Sequence, residues 1–191
     1  MHKTIDIHNM VLAVIFSAFG ILVPMLFHLV GLGAVFLPMF LPLALGAFFL
    51  SPMNALLVGM FTPLASAVLT GMPPFYPPIA FIMVAELGVL CLVISLLSHR
   101  TGLPGVLVLM VAILSERLVL VLMLSLVMPL FQISYKAFSI YEIVKGLPGI
   151  ILILITVPLM VGRVQKVLAR RSLRPFEHSH GGDGLHEKST W

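Results

Sequence analysis

The sequence predicts an all-α integral membrane protein, a bundle of six transmembrane helices with both termini cytoplasmic. Three observations predict it. Of the 191 residues, 60% are hydrophobic and 9% are charged, a balance far outside that of a water-soluble domain. The apolar residues collect in runs near the length at which a helix crosses a bilayer core. When those runs alternate in direction, most lysines and arginines fall on one side, as short cytoplasmic loops require.

The runs read Asn9 to Val30, Gly33 to Leu50, Met53 to Thr70, Pro78 to Leu97, Gly105 to Phe131 and Tyr141 to Val161. The first follows His2, Lys3, Asp6 and His8; it is too long for a signal h-region and has no small-residue cleavage pattern behind it, so it is expected to stay in the mature protein. The second and third are short for a full crossing, which means that they kink or that the intervening "SPMNA" turn dips into the interface. The third ends at Thr70 and Gly71 and gives way to "MPPFYPP", residues 72–78. Proline lacks a donor and fixes φ, so this stretch cannot be regular helix and takes a stiff, extended path between spans three and four. Two readings of it stand: an ordinary outer loop anchored at the interface by Phe75 and Tyr76, or a preorganised lid over a pocket. Lys3, Arg100 and the cluster Arg163, Lys166, Arg170, Arg171 and Arg174 share the cytoplasmic side, with Lys136 and Lys145 as exceptions. The basic run after the sixth span suits anionic headgroups, and "EHSHGGDGLHEKSTW" shows no apolar periodicity and reads as a disordered tail. Residues 1–165 therefore form one membrane domain and 166–191 a cytoplasmic tail, with no soluble domain.

Three ionisable residues interrupt the spans: Glu86 in "MVAELGVL", and Glu116 with Arg117 in "AILSERLVLV". A charge near the bilayer centre costs at least ~2.5 kcal/mol on the mildest insertion scale, so each is expected to point inward. Adjacent helical residues lie ~100° apart, so Glu116 and Arg117 are expected to serve different neighbours. Glu86 and Arg117 form a structural ion pair, or Arg117 binds an anionic group on a ligand while Glu86 accepts hydrogen bonds from it. Glu116 reads as structural. Near the outer end of span six, Glu142 and Lys145 are three apart and can pair locally at little gain. Tyr141 offers a hydroxyl and an aromatic face, with a belt role as the simpler account.

The twelve methionines are spread through the apolar spans, as adaptable packing residues are, and the signal for a metal site is weak. His28 is a pocket candidate, or a histidine satisfied by a backbone carbonyl. Cys91 is a small packing residue. No zinc-protease, serine-hydrolase or nucleotide-binding motif is present, which points away from an enzyme, and the spans show no internal repeat of the kind that builds a secondary transporter.

The segment "LPMFLPLALGAFFLSPMNALLVGMFTPLASAVLTGMPPFYPPIAFIMVAELG", residues 37–88, with the Arg117 helix behind it, resembles the substrate-binding S components of energy-coupling-factor vitamin importers. Leucine-proline opens span two, span three bears glycine, a "TGMPP" loop follows, and span four carries a motif of the "MALEL" type. The resemblance implies a binding protein without cofactors of its own in the cell membrane of a prokaryote. It would capture a small micronutrient from outside and pass it to a membrane coupling subunit with two cytoplasmic ATPases, which use the ATP. It implies a substrate site of Glu86, Arg117, Phe75, Tyr76, Met72, His28, Tyr141 and Lys145, with the aromatic pair stacking on a ring and the prolines lowering the entropy lost on closure. It also implies docking on the coupling subunit through a small-residue stripe in span one, here Ala13 and Ser17. "SPMNA" departs from the family, carrying serine and asparagine where glycine is usual. One arginine and few other polar groups suit a small, partly apolar organic compound with an anionic or amide group. A nickel or cobalt S component, suggested by Met1 and His2, and an intramembrane enzyme or accessory subunit using Glu86 and Glu116 are the alternatives. The partners expected are that substrate, the coupling and ATPase subunits and lipid, with no nucleic acid.

Overall fold

The computed structural model describes residues 7–29, 31, 37–131 and 146–172, with backbone alone at 28, 128 and 167–172. These residues form helices and no strand. In chain order the helices are α1 (Ile7–Leu29), α2 (Phe40–Ala47), α3 (Pro52–Thr70), α4 (Ile79–Arg100), α5 (Gly105–Leu130) and α6 (Leu147–Ser172). All but α2 are long and apolar enough to cross a membrane. Their outward faces are apolar, as on α1, where Val14 is 69% and Leu26 63% exposed; that is the surface a lipid solvent requires.

The second expected span differs from the expectation. The described helix there has 8 residues, about 12 Å at 1.5 Å per residue, less than half a hydrocarbon core. Its shortness is compatible with membrane depth because α2 is enclosed by protein: it touches α1, α3, α4 and α6, and Phe40 and Pro42 to Ala47 are buried. Backbone that leaves the helix there finds partners in the bundle. The Leu50 carbonyl accepts the Ser95 hydroxyl at 2.6 Å, and the Ser51 N–H donates to Asn9 Oδ1 at 3.0 Å. Ser51 is extended and Pro52 opens α3, a proline position that loses no hydrogen bond. The "SPMNA" turn is thus clamped between the start of α1 and the end of α4.

Two glycines set the spacing of α3 and α4. A Cβ on Gly59 would strike the Leu87 carbonyl, and one on Gly88 would lie 2.9 Å from Met60 Cγ. Small residues permit such contact between membrane helices, where packing and not water drives association. On the other side α4 lies along α5. Leu43, Leu50, Leu87, Leu90, Ile94, Leu109, Ile153 and Val157 make the main core, and a small second cluster of Ile82, Leu120 and Leu124 lies between α4 and α5.

The 71–78 connection is held from within. Gly71 takes φ 74° and returns its N–H to the Ala67 carbonyl, a left-handed cap suited to glycine. The Ser66 hydroxyl donates to the Met72 carbonyl at 2.7 Å, and the Ala80 N–H donates to the Pro74 carbonyl at 3.1 Å. The Met72–Pro73 and Tyr76–Pro77 peptide bonds are cis.

Gly59→Leu is expected to drive α3 from α4 and lower stability by about 1–3 kcal/mol or more, read as a lower Tm in detergent. Gly102→Ala, with open space around its Cβ, is expected to leave Tm unchanged.

Candidate functional site

Glu86 lies two turns into α4 on its inward face and is 5% exposed. Arg117 lies midway along α5, and 18% of its side chain is exposed. Both line one cavity of about 70 Å³, with Leu37 and Phe40 from the start of α2, Ile79, Ile82 and Met83 from α4, and Leu120 and Leu124 from α5. The α4 liners precede Glu86 by seven, four and three residues, and the α5 liners follow Arg117 by three and seven. These are the spacings of one helical face. The two charges are therefore brought to a common space by facing stripes of adjacent helices. The volume holds a few waters or one small functional group and is well below the ~300 Å³ at which small-molecule pockets begin.

Leu37 reaches the cavity in an unusual conformation, φ 47°, a left-handed backbone uncommon for a side chain of its size. Its carbonyl accepts the Phe40 N–H at 2.9 Å, which turns the chain into α2. Strain of this kind persists only where the surroundings enforce it and collects at ligand sites.

Glu116 is placed behind the cavity. It is 1% exposed and lies on the buried stripe of α5 with Leu109, Ala112, Leu120 and Leu124. The expectation that Glu116 and Arg117 serve different neighbours is corrected here, because Arg117 Nε comes within 3.1 Å of Glu116 Oε2. Divergence by ~100° at the backbone is overcome by the arginine's long stem, which folds back. Geometry suffers for it. Arg117 Nε makes no hydrogen bond, and Glu116 Oε1 is buried without a partner, so the contact is a charge pair lacking an aligned N–H. Glu86 is engaged by its neighbours.

The other residues singled out from the sequence lie elsewhere. Phe75 and Tyr76 are exposed and do not line the cavity. Phe75 packs on Phe81, ring centroids 5.9 Å apart, and Tyr76 on Phe131 at 6.2 Å, tying the loop to the start of α4 and the end of α5. Met72 is 49% exposed and contributes its carbonyl to the loop. Tyr141, Lys145 and the side chain of His28 lie outside the described residues. Ala13 and Ser17 are turned inward. Ala13 packs on the main core, Ser17 Oγ accepts the Thr62 hydroxyl at 3.2 Å, and Gly20, one turn on, meets Thr62 and Leu43. Docking through this stripe would require α1 to part from α3.

Among the described residues no three histidine, cysteine, aspartate or glutamate side chains converge to hold a metal. Compared with known protein families, with characterised proteins and with solved structures, the chain matches none.

Removing Arg117 leaves the buried Glu116 carboxylate without the cation 3.1 Å from it. Arg117→Gln is expected to cost about 3–5 kcal/mol. Adding Glu116→Gln is expected to recover part of that loss, and a double-mutant cycle on thermal or denaturant unfolding measures the recovery. Strictly additive losses would show that the 3.1 Å contact carries no coupling.

Proposed function

We propose that this chain is the substrate-capturing S component of an energy-coupling-factor importer. It crosses the cell membrane of a prokaryote six times with both termini cytoplasmic, takes a small organic micronutrient from outside, and delivers it through a membrane coupling subunit driven by two cytoplasmic ATPases. The observation that carries the reading is the cavity that Glu86 and Arg117 line together from two different helices. Ionisable side chains within membrane spans mark ligand or ion pathways because nothing cheaper requires them there. A sixth pass is supported by the stretch from Leu37 to Leu50. Leu37 lines the cavity with Ile82 and the Leu50 carbonyl bonds Ser95, so this stretch runs beside α4 from Ile82 to Ser95, roughly 20 Å along that helix.

Orientation is supported by charge. Ser51 bonds Asn9 and Ser95 bonds Leu50, which gathers His8, His99 and Arg100 at one end of the bundle, the cytoplasmic end by the positive-inside rule. The cavity and the 71–78 loop lie toward the other. At about 70 Å³ the space holds one small functional group and not a whole ring-bearing compound. The enzyme alternative is disfavoured by position, since Glu116 is not among the cavity liners and does not share a space with Glu86. For the nickel or cobalt alternative, Met1 and His2 lie outside the described residues.

Native mass spectrometry of the full chain, purified gently from its membrane, is expected to find a co-purified small molecule. Glu86→Gln and Arg117→Gln are each expected to lose it with a roughly tenfold or larger drop in affinity. Retained binding with lost chemical turnover of the bound compound would indicate catalysis and sink the capture reading.

A further inference from the structure

We propose that the 71–78 loop, with Phe81 and Phe131 beside it, is a lipid anchor that seats the cavity end of the bundle in the headgroup boundary of the bilayer. The loop's backbone is largely sealed. Four of its eight residues, Pro73, Pro74, Pro77 and Pro78, have no N–H. Gly71 returns its N–H to the Ala67 carbonyl at 3.0 Å, and the Met72 N–H donates to Thr70 Oγ1 at 3.2 Å. Six of the eight residues therefore present no open donor. The start of α4, where helical N–H groups are ordinarily left over, is served in the same way, since the Ile79 and Ala80 N–H groups donate to the Pro77 and Pro74 carbonyls at 2.6 and 3.1 Å. A turn in water needs no such provision, because solvent satisfies its donors. Backbone at membrane depth does need it.

The side chains agree. Phe75, Tyr76, Phe81 and Phe131 are all exposed, Tyr76 at 71%, and they stand as two ring pairs, Phe75 on Phe81 and Tyr76 on Phe131. Val68 and Leu69 on the last turn of α3 and Leu130 on the last turn of α5 are exposed as well, so the apolar outward surface of those helices continues up to the rings. No charged side chain occurs from residue 62 to residue 85. Aromatic rings at the ends of membrane spans sit where hydrocarbon gives way to headgroups, and Tyr76 suits that boundary with an apolar ring and a hydroxyl for polar partners. The family resemblance assigns Phe75 and Tyr76 to a ligand, yet neither lines the cavity. The capture reading stands on Glu86 and Arg117 without them.

The test places a single tryptophan in the full-length chain, in a Trp191→Phe background that removes the one tryptophan of the sequence. Tyr76→Trp is the reporter, and Phe61→Trp, exposed midway along α3, calibrates depth. Each protein is reconstituted in phosphatidylcholine vesicles whose acyl chains carry bromine near the headgroup, at mid-chain or near the chain end. Phe61→Trp is expected to lose most fluorescence to the deep bromines. Tyr76→Trp is expected to lose most to bromine near the headgroup and little to iodide added to the water. Quenching chiefly by iodide would put the loop in solvent and overturn the proposal. Quenching by neither would show that protein covers the ring, a partner or another segment of this chain, and overturns it too. A depth ranking equal to that of Phe61→Trp would put the ring in hydrocarbon and overturn the boundary assignment. Should Tyr76→Trp fail to fold, Phe75→Trp in the same background reads the same boundary and decides.

Discussion

An arginine halfway along a helix whose outer face is leucine and valine must be met by opposite charge, since even the mildest scale puts its cost in hydrocarbon at ~2.5 kcal/mol or more. Arg117 is met from its own helix, at 3.1 Å, by Glu116. Consecutive residues are poorly placed for this, and the pair shows it in an Nε without an aligned acceptor and a carboxylate oxygen without a donor. A pair left that imperfect is weak as a structural fastener. Its effect is to hold the guanidinium at the wall of the cavity, which Arg117 lines together with Glu86. Three ionisable side chains thus stand inside the membrane-spanning bundle, Glu86 on α4 and Glu116 with Arg117 on α5.

Delivery of Glu86 to that wall depends on α3. Gly59 against the Leu87 carbonyl and Gly88 against Met60 fix both the depth and the rotation of α4, because a helix held at two glycines one on each side of the seam cannot turn without collision. Glu86 lies one residue before that contact and shares its constraint. From there α4 presents Ile79, Ile82, Met83 and Glu86 to α5 as one stripe. The order of dependence runs from backbone contact to helix rotation to carboxylate position, and only the last of these is chemistry.

Much of this was legible in the sequence, and for identifiable reasons. Helices of crossing length are announced by uninterrupted apolar runs: α1, α3, α4 and α5 fall within a few residues of the runs that predicted them, whereas α6 runs on to Ser172, eleven residues past the end expected at Val161. Inward placement of Glu86 and Arg117 followed from the cost of charge in lipid. The liners were recoverable too, since Leu120 and Leu124 stand at helical spacing from Arg117. What was not legible depended on contacts remote in sequence. The brevity of α2 rests on burial by four other helices and on hydroxyl and amide partners from Asn9 and Ser95, forty or more residues away. Small residues serve inner and outer helix contacts alike, so the sequence does not tell that Ser17 meets Thr62 on α3. The pairing of Glu116 with Arg117 was hidden by a rule about Cβ directions that a flexible arginine stem does not obey.

The two ends of the bundle are built differently. At the end that gathers His8, His99 and Arg100, polar side chains cross between elements: Asn9 to Ser51 and Ser95 to Leu50, over a core that runs from Leu43 through Leu90 and Ile94 to Val157. At the cavity end the apolar cluster is Ile82, Leu120 and Leu124, and the 71–78 loop is joined to α4 and α5 by two tilted ring contacts and to α3 and α4 by the Ser66 hydroxyl and the Ala80 N–H. Ring contacts of this kind are worth about 0.5–1.5 kcal/mol each, less than separating a buried hydrogen-bonded element would cost. The apolar core is thus smaller at the cavity end than at the other. Motion confined to the cavity end leaves Glu86 in place, because its position is set from α3 through Gly59 and Gly88 and not from the loop.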